Sequence, residues 1–283
     1  MVLIAALCAL TGMRPPLTAA TSRLATGSRR LVASAAAQQP PKLILTSSGL
    51  TTPELELSFF NMLKRVSSPN TQPYIAMLVT AQMSPSGTVS KRSPGELRRR
   101  RWTTAKKNGA DIGTQLGLPV ECIDCAKDDA STLERTLSGA ECIWVTGGNT
   151  FFLWHHMRRT GVDEIVKRRV LEQGCLYVGQ SAGAIVAGAS IQTALWKGWD
   201  DPEAGGDLKG VEWGEAECRA MALAPQHAFF PHYSGEWAGL VEERRGELGE
   251  ATEVVCLTDD GTGAFVVGEE EEEGEEQPTG GGG

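Results

Sequence analysis

Short apolar runs alternate with longer amphipathic segments along most of this chain. The apolar runs have the length of strands, and the segments between them have the length and the end signals of helices. Such an alternation predicts a parallel β-sheet with helices on both faces. We predict one α/β domain over residues 42–268.

The order of these runs places two glycine-rich turns at one edge of the predicted sheet. The predicted strands comprise residues 42–48, 73–81, 118–124, 141–148 and 175–179. Ligands of open parallel sheets bind outside the carboxyl ends of the strands. The turns at 146–149 and 179–183 both fall there. A Trp- and Gly-rich insertion at 195–213 follows, and further short apolar runs complete the core.

Both ends of the chain differ in composition from this domain. No Asp or Glu occurs before Glu54, whereas arginines, serines and alanines are frequent. This composition predicts that residues 1–41 are a transit or targeting segment with a plastid or mitochondrial address. The apolar opening also fits a secretory signal, and a cytoplasmic location stays an alternative. Residues 269–283 combine glutamates and glycines, which predicts a disordered acidic tail.

Several other classes of function are disfavoured by composition. The basic run Arg98–Arg101 has Trp102 as its one neighbouring aromatic residue, so we predict a solvated helix face and no nucleic-acid site. No apolar run is long enough to span a bilayer, which predicts no membrane partner. Cys122 and Cys125 form a lone CxxC pair without a second pair, so we expect ordinary thiols, and neither a metal nor an organic cofactor.

The sequence Gly179-Gln180-Ser181-Ala182-Gly183 matches the G-x-S-x-G elbow between a predicted strand and a predicted helix. In such an elbow, a serine projects from the sheet edge and the glycines relieve crowding in the turn. The pattern alone leaves two interpretations of Ser181, as a nucleophile or as the polar cap of a helix.

A nucleophilic serine needs a base, and the chain has four histidines. His155 and His156 are adjacent on a predicted helix, which favours a packing or surface role. His232 follows Pro231 at a predicted strand end and is the favoured base, with His227 as the alternative.

A carboxylate that orients the imidazole completes such a set. Two pairs of acids lie in loops between apolar segments. These are Asp200 and Asp201 in the insertion, and Asp259 and Asp260 near the end of the domain.

The segments "ECIWVTGGNTFFLW", "GCLYVGQSAGAIVAGASI" and "FFPHYS" resemble the dipeptidase E family of serine peptidases, the aspartyl dipeptidases, to which cyanophycinases are related. The resemblance covers residues 42–267 in matching order. It implies a flavodoxin-like, glutamine-amidotransferase-like fold, which is an α/β fold with a mostly parallel sheet.

The resemblance also implies roles for individual residues. Ser181 matches the nucleophile, His232 the general base, and the backbone N–H groups of Gly148 and Ala182 the oxyanion hole. The acid matches either the pair in the insertion, Asp200 and Asp201, or the acid before a glycine, Asp260. The first assignment is slightly favoured, because the insertion resembles family members with a longer Trp-rich segment.

One departure concerns the substrate. Members that prefer an N-terminal aspartate carry an arginine after the His motif, where the best match here is Val241. Arg244 or Arg245 are possible substitutes. We therefore predict a serine peptidase that hydrolyses short peptides without an assigned side-chain preference. The alternatives are a catalytically inactive binding protein and a cyanophycinase-like hydrolase.

Overall fold

The computed structural model describes residues 40–67, 72–85 and 93–268, all within one compact unit that begins at Gln38. Nearly all of the predicted leader, 1–41, and all of the predicted tail, 269–283, lie outside these residues. The targeting role and the disordered tail therefore stay predictions. None of the described helices is both long and apolar enough to cross a bilayer.

The described residues form two β-sheets surrounded by helices. The strands are β1 (Leu43–Thr46), β2 (Ile75–Leu78), β3 (Val120–Ile123), β4 (Cys142–Val145), β5 (Leu176–Gln180), β6 (His227–Phe230), β7 (Glu253–Cys256) and β8 (Phe265–Val267). The helices are α1 (Pro53–Val66), α2 (Pro94–Leu116), α3 (Ala130–Gly139), α4 (Thr150–Thr160), α5 (Val162–Lys167), α6 (Ala182–Ile185), α7 (Glu215–Cys218) and α8 (Ala238–Arg244). A π-helical turn, Arg168–Glu172, continues α5.

The larger sheet has the strand order β3-β2-β4-β5-β1-β8, and its neighbouring strands are parallel except for the antiparallel pair β1 and β8. The series β3-β2-β4-β5 repeats the 2-1-3-4 order of flavodoxin-like sheets. Every residue of β1, β2 and β4 is buried, so both faces of the sheet are covered. The predicted α/β fold with a mostly parallel sheet is confirmed.

Strands β6 and β7 pair with each other in a separate parallel sheet. Their register sets Phe230 opposite Cys256, so the chain leaves both strands at the same edge. The loops that follow carry His232 and Asp259. This small sheet therefore brings together residues that are distant along the chain.

Local capping signals explain where the helices α2 and α4 begin. Ser93 and Glu96 form a capping box at the start of α2. At the start of α4, the side-chain oxygen of Asn149 accepts a hydrogen bond from the backbone N–H of Phe152 at 2.8 Å. Asn149, the third residue of the turn Gly147-Gly148-Asn149-Thr150 (the GGNT turn), therefore anchors the helix that follows it.

The helix predicted after Ser181 is a single turn, α6. Beyond it the chain turns toward β6, where the backbone N–H of Ala189 donates to the carbonyl of His227 at 2.7 Å. A Cβ at Gly188 would lie 2.7 Å from the same carbonyl oxygen. Pairing with the neighbouring strand therefore ends the helix.

The basic run Arg98–Arg101 lies on α2, and the CxxC pair spans the end of β3. Arg98 forms an ion pair with the buried carboxylate of Asp124. Cys122 and Cys125 are free thiols, and burial raises the pKa of Cys125 to about 12. A thiol with so high a pKa is a poor nucleophile, which fits the expectation of ordinary thiols.

Candidate functional site

Ser181 lies on the sharp turn between β5 and α6 at the carboxyl edge of the larger sheet. Its backbone angles are φ 50° and ψ −108°, a strained combination for a residue with a side chain. A Cβ at Gly179 would lie 2.7 Å from the carbonyl oxygen of Gly183, and a Cβ at Gly183 would overlap the carbonyl of Val145. The turn therefore requires both glycines of the elbow.

The imidazole of His232 contacts the hydroxyl of Ser181. Its Nε2 lies 2.9 Å from Oγ. The backbone of His232 also has a positive φ, 55°, and its N–H donates to Ser47 Oγ at 2.6 Å. The structure thus brings together the predicted nucleophile and the predicted base.

The other ring nitrogen of His232 faces Asp259. Nδ1 lies 2.6 Å from Oδ1 of this carboxylate, which also accepts a hydrogen bond from Ser48 at 2.9 Å. Burial alone raises the pKa of Asp259, but the hydrogen bonds from Ser48 and His232 outweigh it and lower the pKa below its usual value. An ionised Asp259 accepts a hydrogen bond from the Nδ1–H group, and in that tautomer Nε2 carries no proton and accepts a hydrogen bond from the hydroxyl of Ser181.

The three acids predicted for this position lie elsewhere, which corrects the sequence-based assignment. Asp260 accepts hydrogen bonds from Thr258 and Thr262 and stabilises the turn that holds Asp259. Asp201 is exposed and accepts a hydrogen bond from the backbone N–H of Glu203. Asp200 accepts one from the backbone N–H of Thr150, at the start of α4.

Of the two residues predicted for the oxyanion hole, Gly148 lines a cavity together with Ser181, and Ala182 follows Ser181 in the chain. Gly148 has φ 130°, and a Cβ there would overlap the carbonyl of Ala81, so the position excludes other residues. Ala182 occupies the first position of α6. Among the described residues, neither backbone N–H has an acceptor. Both donors are therefore available to a bound oxygen.

The remaining histidines are not part of this arrangement. His227 lies at the start of β6, packs on Phe265 at a ring distance of 4.9 Å, and has Nε2 3.7 Å from Glu253. His156 is buried in α4, and its neighbour His155 is half-buried on the same helix. No three His, Cys, Asp or Glu side chains in the described ranges converge in a way that could hold a metal ion.

The site opens into a cavity of about 280 Å³. Its lining includes Gly148, Ser181, Lys197, Trp199, Asp200 and His232. Larger cavities occur elsewhere in the described residues, but they do not contain the Ser181–His232 pair. Burial raises the pKa of Asp200. Hydrogen bonding with Thr150 and the electrostatic interaction with the nearby His232 both lower the pKa and oppose this rise.

The arginines considered as substitutes for substrate recognition do not line this cavity. Arg244 lies 3.9 Å from Glu247, and Arg245 lies 2.9 Å from Glu242, both on the same helical segment. Both arginine side chains therefore pair with glutamates of their own segment and do not reach the site as substitutes for the position matched by Val241.

Known proteins resemble this chain in sequence. The sequence model of peptidase family S51 matches residues 101–272, more than half of the chain. An uncharacterized peptidase of Listeria monocytogenes is 41% identical over 76 residues, which cover 27% of this chain and 37% of that protein. Peptidase E of Salmonella newport is 37% identical over 92 residues, which cover 32% and 38%. The matches thus span less than half the length of these curated relatives.

A solved structure from Listeria monocytogenes, provisionally assigned to peptidase E, is also similar. It has 22% sequence identity and a TM-score of 0.48, and the match covers 77% of this chain and 90% of that one. The family match and the relatives named peptidase E confirm the resemblance drawn from the GGNT turn, the elbow and the Pro-His pair. This chain belongs to peptidase family S51.

Proposed function

We propose that this protein is a serine peptidase that hydrolyses short peptides in a dipeptidase-like manner. The observation that carries the proposal is the continuous hydrogen-bonded series Ser181–His232–Asp259, in which the serine lies on a strained elbow. Strain at such a turn is maintained only where the surrounding structure holds it, and it often marks a functional site. Membership of a peptidase family supports the same reaction class.

Each member of the series has a role in the proposed reaction. Ser181 Oγ attacks the carbonyl carbon of the scissile peptide bond, and its proton passes to Nε2 of His232. The imidazolium then gives this proton to the leaving amine as the C–N bond breaks. Water repeats the sequence on the acyl-enzyme and releases the acid. Asp259 stabilises the imidazolium and fixes its tautomer.

The backbone N–H groups of Gly148 and Ala182 form the proposed oxyanion hole. Gly148 lines the cavity that contains Ser181, Ala182 follows Ser181 directly, and neither N–H group has an acceptor within the described residues. Donors fixed in this way stabilise the charge that develops on the substrate oxygen without any reorganisation.

The position of Asp200 indicates a preference for substrates with a free amino terminus. Its carboxylate lines the same small cavity as Ser181 and is held by the backbone N–H of Thr150. A cationic α-amino group is a matching partner for a partly buried carboxylate. We infer that the cavity holds the N-terminal residue of a short peptide, with its amino group toward Asp200.

Labelling with a fluorophosphonate probe tests the reaction class. The wild-type protein is expected to form an adduct on Ser181 and to hydrolyse short peptides, whereas Ser181→Ala does neither. Ser138→Ala, at an exposed position on α3, is the matched control and retains both activities. A folded wild-type protein that neither labels nor hydrolyses peptides contradicts the proposed reaction and favours the alternative of a catalytically inactive family member.

Comparison of a dipeptide with its N-acetyl form tests the role of Asp200. The wild-type protein is expected to prefer the free amine. Asp200→Asn reduces this preference by about 10- to 100-fold, because a charged hydrogen bond is lost. Asp201→Asn, the exposed neighbour, leaves the preference unchanged. Equal turnover of both substrates by the wild-type protein contradicts the assignment.

A further inference from the structure

Lys197 lies in the Trp-rich insertion, and its ammonium contacts the backbone on both sides of His232. Nζ donates hydrogen bonds to the carbonyl of Pro231 at 2.9 Å and to the carbonyl of His232 at 2.6 Å. These two carbonyls belong to the peptide units that flank the base. Lys197 is thus hydrogen-bonded to the main chain of the base, and it is also one of the residues that line the cavity.

Three aromatic rings surround the same ammonium. Nζ lies 4.3 Å from the ring centre of Trp199, 4.4 Å from that of Phe230 and 4.7 Å from that of Trp237. Each distance is within the range of cation–π attraction. The rings also contact each other, with Trp199 and Trp237 edge-to-face at 5.5 Å. The cage therefore fixes the position of the charge.

The main chain of His232 needs such support, because its φ of 55° lies in the left-handed region that a residue with a side chain rarely adopts. Ser47 binds its N–H, and Lys197 binds its carbonyl. The contacts with Ser181 and Asp259 depend on this backbone, because a rotation about it moves the whole ring.

We propose that Lys197 is a positioning residue for the base: its caged ammonium holds the backbone around His232 and thereby keeps the imidazole aligned between Ser181 and Asp259. This inference rests on the proposed function. Lys197 does not take part in proton transfer to the substrate. Its effect on the reaction passes through His232.

The charge of Lys197 is sensitive to mildly alkaline conditions. Burial lowers its pKa to about 8, although the nearby Asp259, Glu236 and Cys256 act in the opposite direction. Because the pKa is lowered, the ammonium is charged below about pH 8 and loses its charge as the pH rises through this value. The cation–π contacts are then lost, and the hold on His232 weakens.

Three variants test the inference. Lys197→Met keeps the length of the side chain and removes its charge and donors. Lys197→Arg keeps a charge that does not titrate below about pH 12. Lys209→Met, at an exposed position in the same insertion, is the matched control. The readouts are kcat, KM and the rate of fluorophosphonate labelling of Ser181 from pH 7 to 10, with near-UV circular dichroism as the test of folding.

In Lys197→Met, kcat and the labelling rate are expected to fall about 10- to 100-fold while KM changes less than about twofold, because the base is displaced and substrate contacts remain. The wild-type labelling rate is expected to decline as the pH rises through about 8. The Arg variant lacks this decline, and the Lys209 variant retains it.

A folded Lys197→Met protein that labels at the wild-type rate overturns the inference. If this variant does not fold, the Arg variant decides, since an unchanged decline near pH 8 overturns the inference and a flat profile supports it. A wild-type protein that does not label at Ser181 contradicts the proposed function itself. Wild-type labelling with an unaffected Met variant contradicts only the role of Lys197.

Discussion

His232 Nδ1 and Asp259 Oδ1 meet at 2.6 Å because their residues follow the two strands of a parallel pair. Phe230 and Cys256 end these strands in register, so both loops start at the same edge. The backbone N–H of Leu257 donates to the carbonyl of Phe230 at 3.0 Å and continues the pairing beyond the strands. The small sheet therefore starts both loops at one edge, and Ser47 and Ser48, which follow β1 of the larger sheet, hydrogen-bond to His232 and Asp259 there.

Replacement of Asp259 tests this pairing directly. Asp259→Asn is expected to lower kcat by about 10⁴-fold, because the amide favours the wrong tautomer of His232 and does not stabilise the imidazolium. Steady-state peptide hydrolysis and the rate of labelling of Ser181 measure the effect.

Asp260→Asn is the matched control for this variant. It weakens the hydrogen bonds to Thr258 and Thr262, so a small loss of stability is expected with kcat within about threefold of wild type. A larger loss of kcat in Asp260→Asn than in Asp259→Asn contradicts the pairing seen in the structure.

The sequence predicted the sheet and two members of the site because their signals are local. Buried parallel strands are continuous apolar runs, and Ser181 lies in a five-residue pattern whose glycines are required by close backbone contacts. His232 follows a strand and a proline. These features need no knowledge of the tertiary structure.

The sequence alone did not identify the acid, Asp259, or Ser47 and Lys197, the residues that support His232. Asp259 and Asp260 are adjacent in one loop, and only the path of that loop decides which carboxylate faces His232. Ser47 binds the backbone of His232 across 185 positions of sequence. Lys197 lies in a segment without periodicity. Such polar residues carry no local signal for their partners.

Gly148 is expected to be intolerant of any side chain. In Gly148→Ala, the new Cβ overlaps the carbonyl of Ala81 and lies 2.8 Å from the backbone nitrogen of Gln82, at a φ of 130°. The free energy of unfolding therefore falls by more than about 1 kcal/mol, and kcat falls because the proposed oxyanion donor moves. Denaturant unfolding and peptide hydrolysis measure the two effects.

Gly239→Ala in α8 provides the comparison, because nothing lies within 4 Å of its added Cβ. It is expected to stabilise the protein by up to about 1 kcal/mol with unchanged kcat. Similar behaviour of the two variants would falsify the steric argument for Gly148.

Ser47 links three parts of the site through one buried hydroxyl. It accepts from the backbone N–H of His232 at 2.6 Å and donates to the carbonyl of Leu257 at 2.9 Å. Ser47→Ala leaves both groups without this partner, so the free energy of unfolding is expected to fall by about 1–3 kcal/mol and kcat to fall as well.

Ser67→Ala is the control that separates the loss of stability from the loss of kcat expected for Ser47→Ala. Its hydroxyl donates to the carbonyl of Leu63 at the end of α1. Its loss is expected to lower stability by about 1 kcal/mol without a change in kcat. If kcat is also unchanged in Ser47→Ala, the hydrogen bond to His232 contributes to folding alone.

His156 makes the stability of the fold depend on pH. The residue is 1% exposed, and neither ring nitrogen has a hydrogen-bond partner among the described residues, although Nε2 lies 3.8 Å from the carboxylate of Asp207. Burial, with a smaller contribution from Arg159, lowers its pKa to about 4. The unfolded chain, with a pKa near 6.5, binds a proton that the folded protein excludes, so stability falls as the pH decreases from about 6.5 toward 4.

Urea unfolding at pH 7 and at about pH 4.5 measures this dependence, which amounts to at most about 3 kcal/mol. His156→Leu places an apolar side chain against Phe152 and is expected to reduce the loss of stability on acidification. His155→Gln, at the half-buried neighbouring position, is expected to leave most of it in place. If the Leu variant loses as much stability as wild type between these two pH values, other groups cause the dependence and His156 is protonated in the folded protein.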